Sequence, residues 1–335
     1  MRKNYEKKLK VVTITGGNGG FSLLRGLKKF DWDLEAIVPM TDDGGSTGRL
    51  RRELGVLPPG DVRYCLSAMA NLSGDWEKVL NYRFESGGLK GHTIGNLMLA
   101  SLEKFKGDFI EAVKEMEKLL SVKGKIIPSS LNSTQLKARL GNKKILRGQH
   151  LINTSPLIQK FGIKKIFISP RPKVNPRAVK AIMTADIVSI GPGNFYCSIL
   201  PNLAIPEINE AIKKTKALVV FNCNLVNRLD QTPNFDLDDY VSLVNRYLKN
   251  ERIDVSTVNK ALPADHSSYD LVRYIAKKNP NRKYRVFCFD LVDQETSKFS
   301  KSDEIAYLRS PFRHDGVKVG KALIKIFNKF NSIKN

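Results

Sequence analysis

Apolar stretches of strand length that end in glycine-rich turns and then give way to helix-patterned segments recur along this chain. That order constrains the fold more than any other feature. Val11 to Thr15 runs into Gly16-Gly17-Asn18-Gly19-Gly20, and a helical pattern follows with Leu23, Leu24 and Leu27 on one face. Leu34 to Met40 runs into Thr41-Asp42-Asp43-Gly44-Gly45-Ser46-Thr47-Gly48, and a second helical segment begins with Arg49. Strand patterns return at 163–169, 186–190 and 217–223, with a helix after Asn175-Pro176, further alternation over 236–290 and an amphipathic helix after Asp315. Such alternation predicts an α/β protein, a Rossmann-like doubly wound, mostly parallel sheet with helices on both faces. Between 124 and 152 the pattern changes to short β-branched or lysine-rich pieces around Gly141-Asn142 and Arg147-Gly148, which predicts a small inserted β-rich subdomain. The organisation expected is a basic tail at 1–10, one nucleotide-binding domain over 11–320 carrying that insertion, and a C-terminal helix and tail over 321–335. At 335 residues and 41% hydrophobic content, the chain is long enough to bury a substantial core.

Ligands on such sheets bind at the carboxyl ends of the strands, where the strand order reverses. Three glycine-rich turns follow three expected strands: 16–20, 44–48, and Gly191-Pro192-Gly193-Asn194. Each can present backbone N–H groups at a helix N-terminus, where unpaired donors and the helix dipole favour an anion. The bland alternative is a glycine needed only for positive φ, which explains one turn more easily than three together. Gly17-Asn18-Gly19 with Ser22 is half a dinucleotide fingerprint. Its third position is Ser, and the acid expected roughly 20 positions on is displaced into a loop, so NAD is a minor expectation.

The vicinal Asp42 and Asp43 suit either a Mg²⁺ ion bridging phosphate oxygens or the hydroxyls of a sugar, and equally an N-cap with a first-turn acid. Arg49, Arg51, Arg52 and Arg63 can fork onto phosphate or solvate a helix face. Asp61 stands where it can cap a helix reaching Ala70, and another helix is expected from about Asp108. His92 and Asn96 fall at a further helix start, and Arg313-His314-Asp315 at the last one; the structural readings are a hydrogen-bonded histidine and a helix cap.

Composition narrows the function classes. The apolar runs fall far short of the ~20 residues a membrane helix needs, and the charged opening MRKNYEKKLK lacks the apolar core of a secretory signal. Cys65, Cys197, Cys223 and Cys288 are widely separated and read as reduced, mostly buried thiols of a cytoplasmic protein. A formal charge of +23 raises a nucleic-acid partner, but the lysines are scattered and no nucleic-acid-binding motif is present; a lysine-rich surface around an anionic ligand explains the charge as well. A symmetric homodimer is the default expectation for oligomeric state.

Several blocks together resemble a known family. They are GGNG with LLRGLK, TDDGGSTGRLRRELGVLPPGDVR, GHTIGNLMLASL, PRPKVNPRAVKAIMTADIVSIGPGNFYCSILPNL and FRHDG, spread over about residues 11 to 320. The chain resembles the YvcK proteins, also called gluconeogenesis factors or GlmR, within the superfamily of 2-phospho-L-lactate transferase. The resemblance implies a Rossmann-like fold, binding of UDP-N-acetylglucosamine, and a role in directing carbon toward cell-wall precursors and cell shape, with an enzyme of amino-sugar synthesis as a possible partner. By motif matching it places ligand contacts on Gly17, Asn18, Gly19, Asp42, Asp43, Arg49, Asn96, Gly191, Gly193 and Arg313, with Tyr274 as the uracil-side tyrosine. Gly44, Gly45, Ser46, His92 and Asn194 complete the expected site from the turns themselves. If the protein is instead an enzyme, the expected class is a metal-dependent phosphoryl or nucleotidyl transferase with Asp42 and Asp43 as metal ligands and catalytic carboxylates. The chain departs from the family at Asn194-Phe195-Tyr196-Cys197 and, at a strand's carboxyl end, at Asn224-Leu225-Val226-Asn227-Arg228. The second departure bears on which ligand is accepted.

Overall fold

The computed structural model describes residues 8–71, 75–260, 272, 281–294 and 312–334. Ten strands lie among them: β1 (Lys10–Ile14), β2 (Asp33–Val38), β3 (Lys125–Pro128), β4 (Gln135–Leu140), β5 (Ile145–Arg147), β6 (Ile163–Ser169), β7 (Ile187–Ile190), β8 (Leu218–Asn222), β9 (Val255–Asn259) and β10 (Arg285–Phe289). Seven form one sheet in the order β10-β9-β8-β7-β1-β2-β3, and every neighbouring pair runs parallel.

Such a sheet needs cover on both faces, and the strand sequences provide for it. Successive side chains point to opposite faces, so Leu34, Ala36 and Val38 of β2 and Leu218 and Val220 of β8 enter one apolar cluster. Ile37, Val219 and Phe221, between them, enter the other. The helices Gly17–Leu27, Gly60–Met69, Phe109–Leu119 and Gly316–Lys334 cover the first face through Leu23, Leu66, Met116 and Leu323. Pro176–Thr184, Pro206–Lys214 and Leu237–Leu248 cover the second through Ile182, Ile208 and Tyr240. The doubly wound α/β architecture expected from the sequence is therefore the one adopted.

The small sheet differs from expectation in its membership. It is antiparallel, in the order β5-β4-β6. β3, within the 124–152 segment, instead joins the main sheet beside β2, while β6, expected to resume the alternation, pairs with β4. The reason is visible in burial. Ile126 and Ile127 of β3 are buried on opposite faces, as a strand between layers requires, whereas β6 leaves Lys164 and Lys165 in solvent, as a half-covered antiparallel strand does. Leu136, Ala138 and Leu140 of β4 share a cluster with Val12, Val188 and Phe221, so this sheet packs on the main core.

Asn175 and Asp108 cap their helices through the N–H groups of Arg177 and Glu111, and Asp315 accepts from Val317 and Lys318 at the head of the last helix. That helix runs unbroken over Gly316–Lys334, across the boundary expected at 320. Its head lies on Gly17–Leu27 at a backbone-to-backbone approach. A Cβ built on Gly26 would fall 2.2 Å from the carbonyl carbon of Gly316.

Alanine normally stabilises a helix interior over glycine by about 1 kcal/mol. At Gly26 the contact reverses the sign: Gly26→Ala should destabilise by about 1–3 kcal/mol, the usual cost of overpacking. A drop of several degrees in melting temperature is expected, while Gly88→Ala, whose added methyl meets nothing within 4 Å, should leave it unchanged.

Candidate functional site

β1 has β2 on one side and β7 on the other, and the chain builds outward from this pair in both directions, so the carboxyl ends of β1 and β7 flank the switch in strand order. The turns after these strands meet there. Gly17 and Gly191 take left-handed φ values of +58° and +77°, which side chains resist. A Cβ on Gly19 would lie 2.8 Å from the Gly193 Cα, and the Thr15 hydroxyl donates to the Pro192 carbonyl at 2.6 Å. Contact this close admits backbone only. Around the junction opens a cleft of about 1250 Å³, above the range of a typical small-ligand pocket.

The helix heads into which the three turns lead are not equivalent. The helix Gly17–Leu27 has no side-chain cap of its own, and the Gly17 N–H donates to Asp61 at 2.9 Å. Asp61 thus does not cap the helix Gly60–Met69, whose N-cap is Pro59; it is a first-turn residue that places a carboxylate on the neighbouring helix head. The third turn leads into one π-helical turn, Phe195–Ile199, where Asn194 accepts from the Cys197 N–H at 3.1 Å. The second turn opens the ten-residue helix Gly45–Leu54, again without a side-chain cap. Asp42 accepts from the Gly44 N–H at 3.1 Å, just outside that helix.

Asp42 and Asp43 diverge. Burial pushes the Asp42 carboxyl above its ordinary range against hydrogen bonds from Gly44 and Thr47 that favour the charge, and the neighbouring Asp43 adds to the rise. Asp43 reaches the other way and accepts from the His150 N–H at 2.9 Å, at the start of Gln149–Thr154 in the small-sheet region. Neither residue is the N-cap of the helix through Arg49; Gly44 is. Among the described residues no group of three His, Cys, Asp or Glu side chains is arranged to hold a metal ion.

Behind the second turn lies a buried polar chain. Arg63, only 3% exposed, donates through Nε to Asn96 at 3.0 Å; Asn96 donates through Nδ2 to the Ser46 hydroxyl at 3.0 Å; and Ser46 lies 3.0 Å from His92 Nδ1. With Asn96 as donor, the Ser46 proton is left for a neutral His92. Burial, then the charge of Arg49, push the His92 pKa down, consistent with that tautomer.

Of the residues expected from sequence, Gly17, Asn18, Gly19, Asp42, Asp43, Gly44, Gly45, Ser46, Arg49, Asn96, Gly193, Asn194 and Arg313 line this one cleft. Gly191 shapes the turn without lining it, His92 stands behind Ser46, and Tyr274 lies outside the described residues. Sequence reading did not find the wall contributed by Gln149, His150 and Asn153, nor Arg83 and Phe84 at the rim. Those residues carry no glycine-turn signature; only the Arg147-Gly148 turn hinted at the first group.

The divergent segment after β8 is tied to this wall. Asn224 donates to the Gly193 carbonyl at 3.1 Å, and Arg228 pairs with Asp230 at 2.6 Å while donating to Asn153 at 2.7 Å. Of the cysteines, Cys65, Cys197 and Cys223 are buried, which pushes their thiols up, and Cys288 is exposed. No helix among the described residues is long and apolar enough to cross a membrane.

The sequence pattern of the family described as 2-phospho-L-lactate transferase CofD matches residues 11–290. The chain is 34% identical over 330 residues to the gluconeogenesis factor of Bacillus subtilis, covering 96% of this chain and 99% of that protein. It is 42% identical over 242 residues to the gluconeogenesis factor of Halalkalibacterium halodurans, covering 71% and 73%. A crystal structure of a UPF0052 family member from Bacillus halodurans superposes with a TM-score of 0.84 at 33% identity, over 95% of this chain and 99% of that one.

His314, beside Arg313, is buried with Nε2 3.1 Å from the Cys223 carbonyl, and burial pushes its pKa down to about 4 from 6.5. Between those values the unfolded chain takes up a proton that the folded one refuses, so stability present above pH 6.5 is lost as pH falls toward 4. The loss should reach about 3 kcal/mol, at 1.36 kcal/mol per unit. Melting temperatures of the wild type and His314→Gln, measured across this window, should show the variant less pH-dependent.

Proposed function

The chain belongs to the CofD family and, within it, to the gluconeogenesis factors, and from that premise we propose that it binds a nucleotide-sugar, UDP-N-acetylglucosamine, in the switch-point cleft as a cytoplasmic regulatory protein. In this reading, occupancy of the cleft links gluconeogenic carbon metabolism to cell-wall precursor synthesis and cell shape, acting on an enzyme of amino-sugar synthesis. The observation that carries it is the convergence of three glycine-rich turns on one cleft roomy enough for a nucleotide joined to a sugar. Arginines supply charge for a diphosphate, and the amides Asn18, Asn96, Asn194 and Asn224 supply neutral partners for hydroxyls.

NAD fits less well. Dinucleotide folds rest the pyrophosphate on the first helix head, and here the Asp61 carboxylate takes the Gly17 N–H at that place. Asp42, the acid nearest to the ribose-reading position, lies beyond the end of β2 and is held by its own turn.

A second reading, a Mg²⁺-dependent transferase of phosphoryl or nucleotidyl groups, is favoured by one feature. The Asp42 carboxyl is raised by burial and by Asp43, a cost that a bound cation relieves. Magnesium is commonly held by one or two carboxylates with substrate phosphates and water, so Asp42 and Asp43 fit it; when bound it would neutralise phosphate charge. The protein's own part would be to orient the phosphates with the second helix head and Arg49.

Thermal shift with UDP-N-acetylglucosamine, UTP, NAD and GDP, each with and without Mg²⁺, decides between them. A ligand at ~100 times its Kd adds about 2.7 kcal/mol, a few degrees for a chain of this size. A shift confined to the UDP-sugar and indifferent to metal is expected; no shift with it would remove the basis of the proposal. Asp43→Asn should leave the nucleotide-sugar Kd within about threefold. A loss of metal-dependent UTP binding in that variant would instead support the transferase.

A further inference from the structure

The second helix head differs from the other two in the charge around it. Arg49 and Arg83 converge on one short stretch of backbone: Arg49 donates to the Lys90 carbonyl, and Arg83 to the Gly91 carbonyl at 2.6 Å. Arg63 lies beneath them in the same cleft, 3% exposed, its guanidinium engaged by the neutral side-chain oxygens of Asn96 and Asn81 and 3.9 Å from the Tyr64 ring centre. Three other partly buried arginines have their charge met by a carboxylate. Arg228, Arg252 and Arg282 each pair with an aspartate. Among the described residues, no carboxylate lies within the 4.0 Å of an ion pair from Arg49, Arg63 or Arg83, although Glu85 lines the same lobe.

A buried guanidinium held by neutral partners alone leaves its charge uncompensated, and two more cations beside it raise the cost. Folding tolerates this where an anion completes the set. The helix Gly45–Leu54 points its unpaired first-turn N–H groups and positive dipole end into the same cleft.

We propose that this lobe is a phosphate subsite, with Arg63 at its floor, Arg49 and Arg83 at its rim and the Gly45–Thr47 amides at its back. The planar guanidinium groups donate to phosphate oxygens in pairs, and the helix head adds backbone donors. The Arg63-Asn96-Ser46-His92 chain fixes the floor, so that His92 is a positioning residue behind Ser46. The assignment rests on the cleft's charge and does not depend on which nucleotide the cleft accepts. The phosphate can belong to the nucleotide-sugar's own diphosphate or to a separate phosphomonoester.

Calorimetric titration of the full chain with inorganic phosphate and with glycerol 3-phosphate, against chloride of equal ionic strength, tests it. Both probes should bind, and Arg83→Gln and Arg63→Gln should each weaken them tenfold or more. Lys164→Gln, which removes one charge from exposed β6, should change nothing. Arg83 is half-buried at the rim, so its variant remains informative if Arg63→Gln fails to fold. Binding by Arg83→Gln as tight as wild type, an equal loss in Lys164→Gln, or no binding by the wild type overturns the subsite. Repeating the titration with saturating UDP-N-acetylglucosamine separates the sources. Exclusion assigns the lobe to the nucleotide-sugar's diphosphate, and independent binding assigns it to a second phosphorylated ligand. If the nucleotide-sugar itself does not bind, the phosphate arms still decide the subsite while the proposed function fails.

Discussion

The meeting of two backbones at Gly19 and Gly193 is the constraint on which the site depends. β1 and β7 are neighbours in the sheet, and both chains must turn away from it within a few residues of the same point. With the Gly193 Cα 2.8 Å from any Cβ on Gly19, these turns interlock only as bare peptide. That leaves no side chain to fill the crevice above the strand ends, and the cleft is what remains. The cores on the two faces hold β1 in place, since Val11 enters one and Val12 and Ile14 the other.

Around this junction, charge is arranged by neighbour. Carboxylates are bound to backbone amides: Asp61 to Gly17, Asp42 to Gly44, Asp43 to His150. Three arginines at the second helix head lean on carbonyls and side-chain amides. Both sets are thus met by neutral partners, and in the subsite proposed above the three arginines are the charges that a phosphate would pair. The +23 charge of the whole chain raises the local concentration of any anion, and the proposed subsite at Arg63 would make that attraction specific.

The small sheet takes part in the site rather than decorating it. Through Asp43 and His150, Arg51 and Thr134, and Arg228 and Asn153, the segments flanking its strands are bonded to the loops after β2 and β8 and to the helix Gly45–Leu54. The wall of the cleft on this side is therefore held to both loops by hydrogen bonds. The divergent 224–228 segment bonds to the same wall, outside the strands of the parallel sheet.

How far the molecule was legible in its sequence depended on the range of the interaction. Alternation of apolar residues, glycine turns at strand ends and the caps at Asp108, Asn175 and Asp315 are local signals, and they determined the strands, most helices and the doubly wound class. The family motifs and the glycine turns, also contiguous, named sixteen expected site residues, thirteen of which line one cleft. Strand partnership was another matter: β3 was read into the 124–152 insertion and β6 into the main alternation, and burial on two faces or one sent each to the other sheet. The roles of Asp61 and Asp43 were equally out of reach. Each depends on a partner contributed by another element, 44 residues away for Gly17 with Asp61 and 107 for Asp43 with His150. By itself the sequence determined which residues turn, extend and coil, because those preferences act through neighbours along the chain. The tertiary structure alone decided which charges are neutralised and which are left facing the cleft, because that balance is set between elements that meet only when the sheet is assembled.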